Sequence, residues 1–237
     1  MNLQERYKTI QDAIAKAAAK GRRDPKSVTL LAVTKNATPD HIKHLVELGH
    51  RDFAESKVQQ LQQRAAQLDE WLLRQSGRTE KQLPPPTDIN WHMIGHLQRN
   101  KVRPVMTICR AVHSIDSLRL AEEIQDEAER LERVMPVLLE VNVAGENSKF
   151  GVAVGASLHL AEQIDTMDNV HIIGLMCMAP YSANPEDARP VFVRLREIFE
   201  EIRFRKIGGD RFKHLSMGMS GDYQVAVIDK SAEQLQR

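Results

Sequence analysis

The sequence predicts an α/β domain in which a parallel sheet curls into a (β/α)8 barrel of the TIM type, with an extra helix in front and the eighth strand missing. Three observations predict it. Short apolar runs alternate with longer amphipathic ones along nearly the whole chain. The short runs are apolar at almost every position rather than at every second one, which is how strands buried on both faces read. They also number seven, one fewer than a closed barrel of this kind needs.

Leu3, Tyr7, Ile10, Ile14 and Ala17 recur at helical spacing and Gly21 follows as a C-cap, so a helix comes first. VTLLAV (28–33) reads as the first strand, buried to its end, and Thr34-Lys35-Asn36 turns out of it. Thr38 and Pro39 then open the helix HIKHLVELG as N-cap and first residue. The later strands are RDFAE (51–55), INWHMI (89–94), AVHSI (111–115), PVLLEVNV (136–143), VHIIGLMCM (170–178) and FKHLSMG (212–218). Between them KVQQLQQRAAQLDEWLLRQ, SLRLAEEIQDEAERLE, GASLHLAEQIDTM and PEDARPVFVRLREIFEEIR carry helical patterns. RQSGRTEKQLPPPTDIN (74–90) is polar and proline-rich, an exposed connection inside the domain. SGDYQVAVIDKSAEQLQR supplies a last helix and no strand, so residues 1–237 read as one barrel domain truncated at its C-terminal end. An open doubly wound sheet would need no closure, but no GxGxxG follows a strand.

Composition narrows the function. Lys plus Arg (33) and Asp plus Glu (32) nearly cancel, which leaves no basic field for nucleic acid or an anionic membrane. Cys109 and Cys177 have no metal-type spacing, so neither a metal site nor a disulfide framework is expected and a reducing cytoplasm is. The N-terminus lacks the apolar core of a signal peptide, and no stretch has the length and apolarity of a membrane span.

In a parallel α/β barrel the chemistry sits where the strands end. Those ends carry Lys35, Glu55-Ser56, His92 with Gly95, His113-Ser114 and Asp116, Asn142, Met176 to Met178, and Ser216 to Ser220. Burying the Lys35 ammonium without a partner would be costly, so either the strand end faces water or the amine has work there. Among small polar groups and apolar walls such an amine has a depressed pKa and can condense with an aldehyde. In LSMGMSGD (215–222), backbone N–H groups and the hydroxyls of Ser216 and Ser220 can hold a phosphate; an ordinary glycine turn with Ser220 as N-cap is the plainer reading. The two features together suit pyridoxal 5′-phosphate (PLP). His92 and His96 are four apart but lack the glutamate of a zinc HExxH motif, Lys149 and Gly151 lie beyond the fifth strand, and LMCM reads as strand core.

These residues resemble the pyridoxal-phosphate homeostasis proteins, single-domain relatives of the alanine racemase N-terminal barrel. The resemblance runs through LLAVTKNATPDHI, DFAESKVQQ, WHMIGHLQRNK, VHSIDS, VNVAGENSKFGV, GLMCM and LSMGMSGD, from the first helix to about Val227. It implies a fold-type III PLP barrel in which Lys35 forms the internal aldimine and Ser216 and Gly218 hold the phosphate. Ser56 stands where the family usually has the asparagine of G-E-N; its shorter hydroxyl reaches the same place through a water. His92 and Ser220 complete the expected cofactor-binding set. The family's closing R-x-G-x-x-[IL]-F-G segment is not in the sequence. The implied function is intracellular PLP homeostasis without catalytic turnover, by a monomer with apo PLP-dependent enzymes as recipients. The alternatives are an amino-acid racemase, for which none of Tyr7, Tyr181 and Tyr223 is placed by motif as the second acid/base, and a cofactor-free Schiff-base lysine enzyme.

Overall fold

A computed structural model describes residues 2–75, 89–146 and 150–229. All seven expected strands are present: β1 (Ala32–Val33), β2 (Asp52–Glu55), β3 (Asn90–Met93), β4 (Cys109–Ile115), β5 (Met135–Asn142), β7 (Val170–Met176) and β8 (His214–Ser216). A two-residue strand not expected from the sequence, β6 (Val152–Ala153), lies beside the last two residues of β5. Every pairing is parallel, in the order β1-β2-β3-β4-β5-β7-β8. Parallel neighbours need a crossover on the outside, and the helices supply it: α2 (Pro39–Glu47), α3 (Val58–Gln75), α4 (Val102–Ile108), α5 (Leu118–Arg130), α6 (Val154–Asp165) and α7 (Arg189–Phe204), with α1 (Leu3–Lys20) before the sheet and α8 (Tyr223–Asp229) after it. The sheet curls far enough for His113 on β4 to touch Ser216 on β8 across the interior. Among the described residues β1 and β8 pair with no strand but β2 and β7, so the barrel is incomplete.

The core follows from the apolar runs. Phe53, Met93, Val112, Ile115, Val137, Leu139, Ile172 and Leu175 on the strands are fully buried, and Leu61, Ile124, Phe192 and Leu195 from the helices cover them. Helix ends obey local rules. The Thr38 hydroxyl accepts from the His41 N–H at 3.3 Å with Pro39 in the first turn, and Asn2 forms a capping box with Glu5. Gly21 closes α1 as expected.

Two readings needed correction. The first strand is two residues long rather than six, and Val33 is 46% exposed rather than buried, because among the described residues no strand covers one side of β1. Helix α4 was not legible, since VRPVMTI is short and carries a proline. Pro104 sits in its first turn, where the missing N–H has no partner to lose. The 74–90 connection lies mostly outside the described residues, as does Lys149.

Candidate functional site

The turn after β1 is built by side chains. Buried Thr34 donates its N–H to the Ala54 carbonyl at 2.9 Å and its hydroxyl to Glu55 Oε1 at 2.8 Å. Glu55, fully buried at the end of β2, also accepts the Ser56 N–H at 3.0 Å and pairs with the Arg64 guanidinium from α3. Arg64 reaches on to the Ala37 carbonyl at 3.2 Å and the Lys35 carbonyl at 3.4 Å. A buried carboxylate with three donors, one of them a guanidinium, is well compensated, so it fixes the turn instead of straining it. Lys35 itself is exposed: the amine faces water on a backbone that is clamped from behind.

Ser56, half-buried, is the next link around the rim. A Cβ on Gly95 would lie 2.2 Å from the Ser56 carbonyl oxygen, so only glycine lets the loop after β3 pass there. The Ser114 hydroxyl donates to the Gly95 carbonyl at 2.7 Å, which ties in the loop after β4.

Inside the curl a polar line crosses four strands. Asn90 donates to Asp52 Oδ1 at 2.8 Å, His92 Nε2 lies 3.7 Å from the same oxygen, His92 Nδ1 is 2.9 Å from His113 Nε2, and His113 Nδ1 is 2.9 Å from Ser216 Oγ. His92 holds the Asp52 carboxyl below the usual range, with Asn90 assisting against partial burial. Burial, with His92 and His214 adding to it, pushes His113 down to about 3, so it is neutral at physiological pH.

The turn after β8 is partly spent on itself. The Asp222 carboxylate accepts the Met219 N–H, while the Asp222 and Tyr223 N–H groups both donate to the Met219 carbonyl, at 3.1 and 2.9 Å. Gly218 has φ +90°, and a Cβ there would sit 2.9 Å from Tyr223 Cα and from Ala226 Cβ, so its missing side chain serves the packing of the turn onto α8. Ser220 is exposed. Ser216 and Ser220 bring hydroxyls to this rim.

The remaining strand-end residues separate. His96 pairs with Asp116 at 3.1 Å and stacks on Phe150 at 4.0 Å, whereas His92 turns inward; among the described residues no cluster of three His, Cys, Asp or Glu could hold a metal. Asn142 donates to the Glu146 carbonyl at 2.9 Å. Burial and then Asp116 raise Glu140 to about 7. Both cysteines are buried and free, and burial pushes each thiol up to about 12. Sequence reasoning missed Arg64, Asp52 and Asn90 as parts of the site. Asp52 and Asn90 start their strands, and nothing in a linear pattern signals that the start of one strand is wired to the end of another.

The family described as "Alanine racemase, N-terminal domain" matches residues 11–234. A pyridoxal phosphate homeostasis protein of Aquifex aeolicus is 35% identical over 227 residues, 96% of this chain and 92% of that protein. One from Escherichia coli K12 is 30% identical, covering 92% and 86%. The structure of PipY from Synechococcus elongatus with PLP bound superposes with a TM-score of 0.72 at 30% identity, covering 91% of this chain and 93% of that one. An alanine racemase of Clostridium difficile, at 12% identity and a TM-score of 0.62, shares the fold over 54% of its length.

Proposed function

This chain belongs to the alanine racemase N-terminal domain family, among the pyridoxal phosphate homeostasis proteins, and from that premise we propose that it binds PLP and serves PLP homeostasis, with Lys35 as the attachment point. The observation that carries the assignment to Lys35 is the clamped turn: Glu55, Thr34 and Arg64 hold the backbone while leaving a primary amine open to solvent. Bound there, the cofactor would supply an aldehyde for a primary amine and a phosphate monoester. The donor set fits that group. Lys35 takes the aldehyde end, Ser216 and Ser220 offer hydroxyls to the phosphate, and Ser56 and His92 line the rim and interior between.

Turnover is not part of the reading: Tyr7 is bound to His50 at 3.1 Å, Tyr181 is 94% exposed, and Tyr223 packs against Gly218 at the start of α8. A cytoplasmic monomer that delivers PLP to apo-enzymes is the corresponding cellular role. No helix among the described residues is long and apolar enough to cross a membrane. The test is absorbance of the purified protein after PLP is added: a band of bound cofactor in wild type, lost in Lys35→Ala. Equal spectra would remove Lys35 from the site.

A further inference from the structure

The polar line behind Ser216 has a direction, and the direction conflicts with holding an anion. His92 Nε2 is buried without a hydrogen-bond partner and faces the Asp52 carboxylate at 3.7 Å. A proton on Nε2 meets that carboxylate favourably, whereas a lone pair there would repel it. In the neutral ring Nδ1 is then the acceptor, so His113 donates from Nε2 and must accept at Nδ1. The group 2.9 Å from Nδ1 is the Ser216 hydroxyl, which therefore gives its proton to His113. A phosphate beside Ser216 finds lone pairs where it needs a donor.

The conflict resolves only if the line reverses. His113 Nδ1–H then donates to Ser216, the hydroxyl turns out toward the anion, and His113 Nε2 accepts from His92 Nδ1–H. With Nε2–H still held opposite Asp52, His92 carries both protons. Building on the PLP reading above, we propose that His92 and His113 are positioning residues that couple anion binding at Ser216 to uptake of one proton by His92. His113 is the neutral link, which its burial enforces. The charged and titratable groups around the line agree with this. Asp52 on β2 favours a cation at His92, Asn90 on β3 holds that carboxylate, His50 and Tyr7 lie behind Asp52, and His214 on β8 faces His113. His50 is itself pushed down by burial, so it does not compete for the proton at neutral pH.

The consequence is that phosphate-bearing ligand is held more tightly as pH falls, by up to about tenfold per unit wherever binding takes up that proton. The experiment is nitrogen-15 NMR of histidine-labelled protein, free and with PLP or pyridoxal, with absorbance of the Lys35-dependent band read on the same samples. His92→Asn assigns the signal. With PLP both His92 ring nitrogens become protonated while His113 stays neutral and changes tautomer; with pyridoxal, which has no phosphate, neither changes. A Lys35-dependent band with His92 left as the Nε2–H tautomer, or the same change with pyridoxal, overturns the coupling and leaves the PLP reading intact. No band in wild type overturns the PLP reading and the coupling with it. Asp52→Asn gives a second arm: calorimetry in buffers of different ionisation enthalpy shows the extra proton taken up by wild type on PLP binding and not by the variant. Equal uptake in both overturns the proposal.

Discussion

The centre of the sheet and its two edges are made differently. Strands β4, β5 and β7 run for seven or eight residues, are buried on both faces and hold one another by backbone pairing. At the edges β1 has two residues and β8 three; Val33 is exposed, and the ends are fixed by side chains, through Thr34, Glu55 and Arg64 on one side and His113 with Ser216 on the other. Helices α1 and α8 meet outside the two edges through Ala17, Ala18 and Val227, so packing, not strand pairing, spans that part of the molecule. A backbone satisfied by its neighbours gives stability but has nothing free to offer. The edges give up regular pairing, and there the chain is free to turn and present an amine and hydroxyls.

The comparison breaks if substitutions at the edge and the centre weigh the same. Leu139→Ala, in the fully buried middle of β5, is expected to lower unfolding stability by about 2–5 kcal/mol. Val33→Ala should change it by less than about 1 kcal/mol. Chemical denaturation of the two variants side by side checks this, and equal losses would mean that β1 is as much part of the core as β5. The side-chain clamp is tested next. Glu55→Gln leaves the Arg64 guanidinium, 13% exposed, without its anion and should lower stability by about 3 kcal/mol, while slowing PLP attachment to Lys35 in stopped-flow absorbance. An unchanged attachment rate would show that the turn keeps its shape without the clamp.

A smaller effect than the loss of the clamp runs the other way and sits where centre meets rim. Glu140, at the end of β5, is raised to about 7 by burial and Asp116, so the folded state holds its proton more tightly than the unfolded chain does. Stability from this group is fully present below the unfolded value, near 4.5, and is lost as pH rises through about 7. Glu140→Gln should therefore be about 1–2 kcal/mol more stable than wild type at pH 8 and no better at pH 4.5, read from thermal melts. His113 has the opposite sign: pushed down to about 3, it lowers stability as pH falls below about 6.5.

How much was legible follows the same division. PVLLEVNV and VHIIGLMCM could be placed because burial on both faces leaves an unbroken apolar run, and a run is visible in one dimension. The place of Lys35, in a turn between an apolar strand and a capped helix, was legible from the pattern on either side of it. Arg64 was not: in VQQLQQRAAQLDEWLLRQ it is one more polar residue, and only the packing of α3 against β2 shows that it reaches Glu55. The strand count anticipated that, among the described residues, β1 and β8 have no strand between them, but not how short β1 is, because the extent of β1 depends on a neighbour rather than on its own residues.

The sequence by itself determined the alternation of strands and helices, the burial of the central strands and the family, because hydrophobic periodicity and motif order are properties of neighbouring residues. Only the tertiary structure decided which polar groups meet. His113 and Ser216 are 103 positions apart and are joined by the curl of the sheet, and Asp52 becomes the far end of their line because β2 and β3 run in register. Hydrogen bonds depend on distances of a few ångströms between groups that the chain brings together late, and no spacing along the chain encodes them.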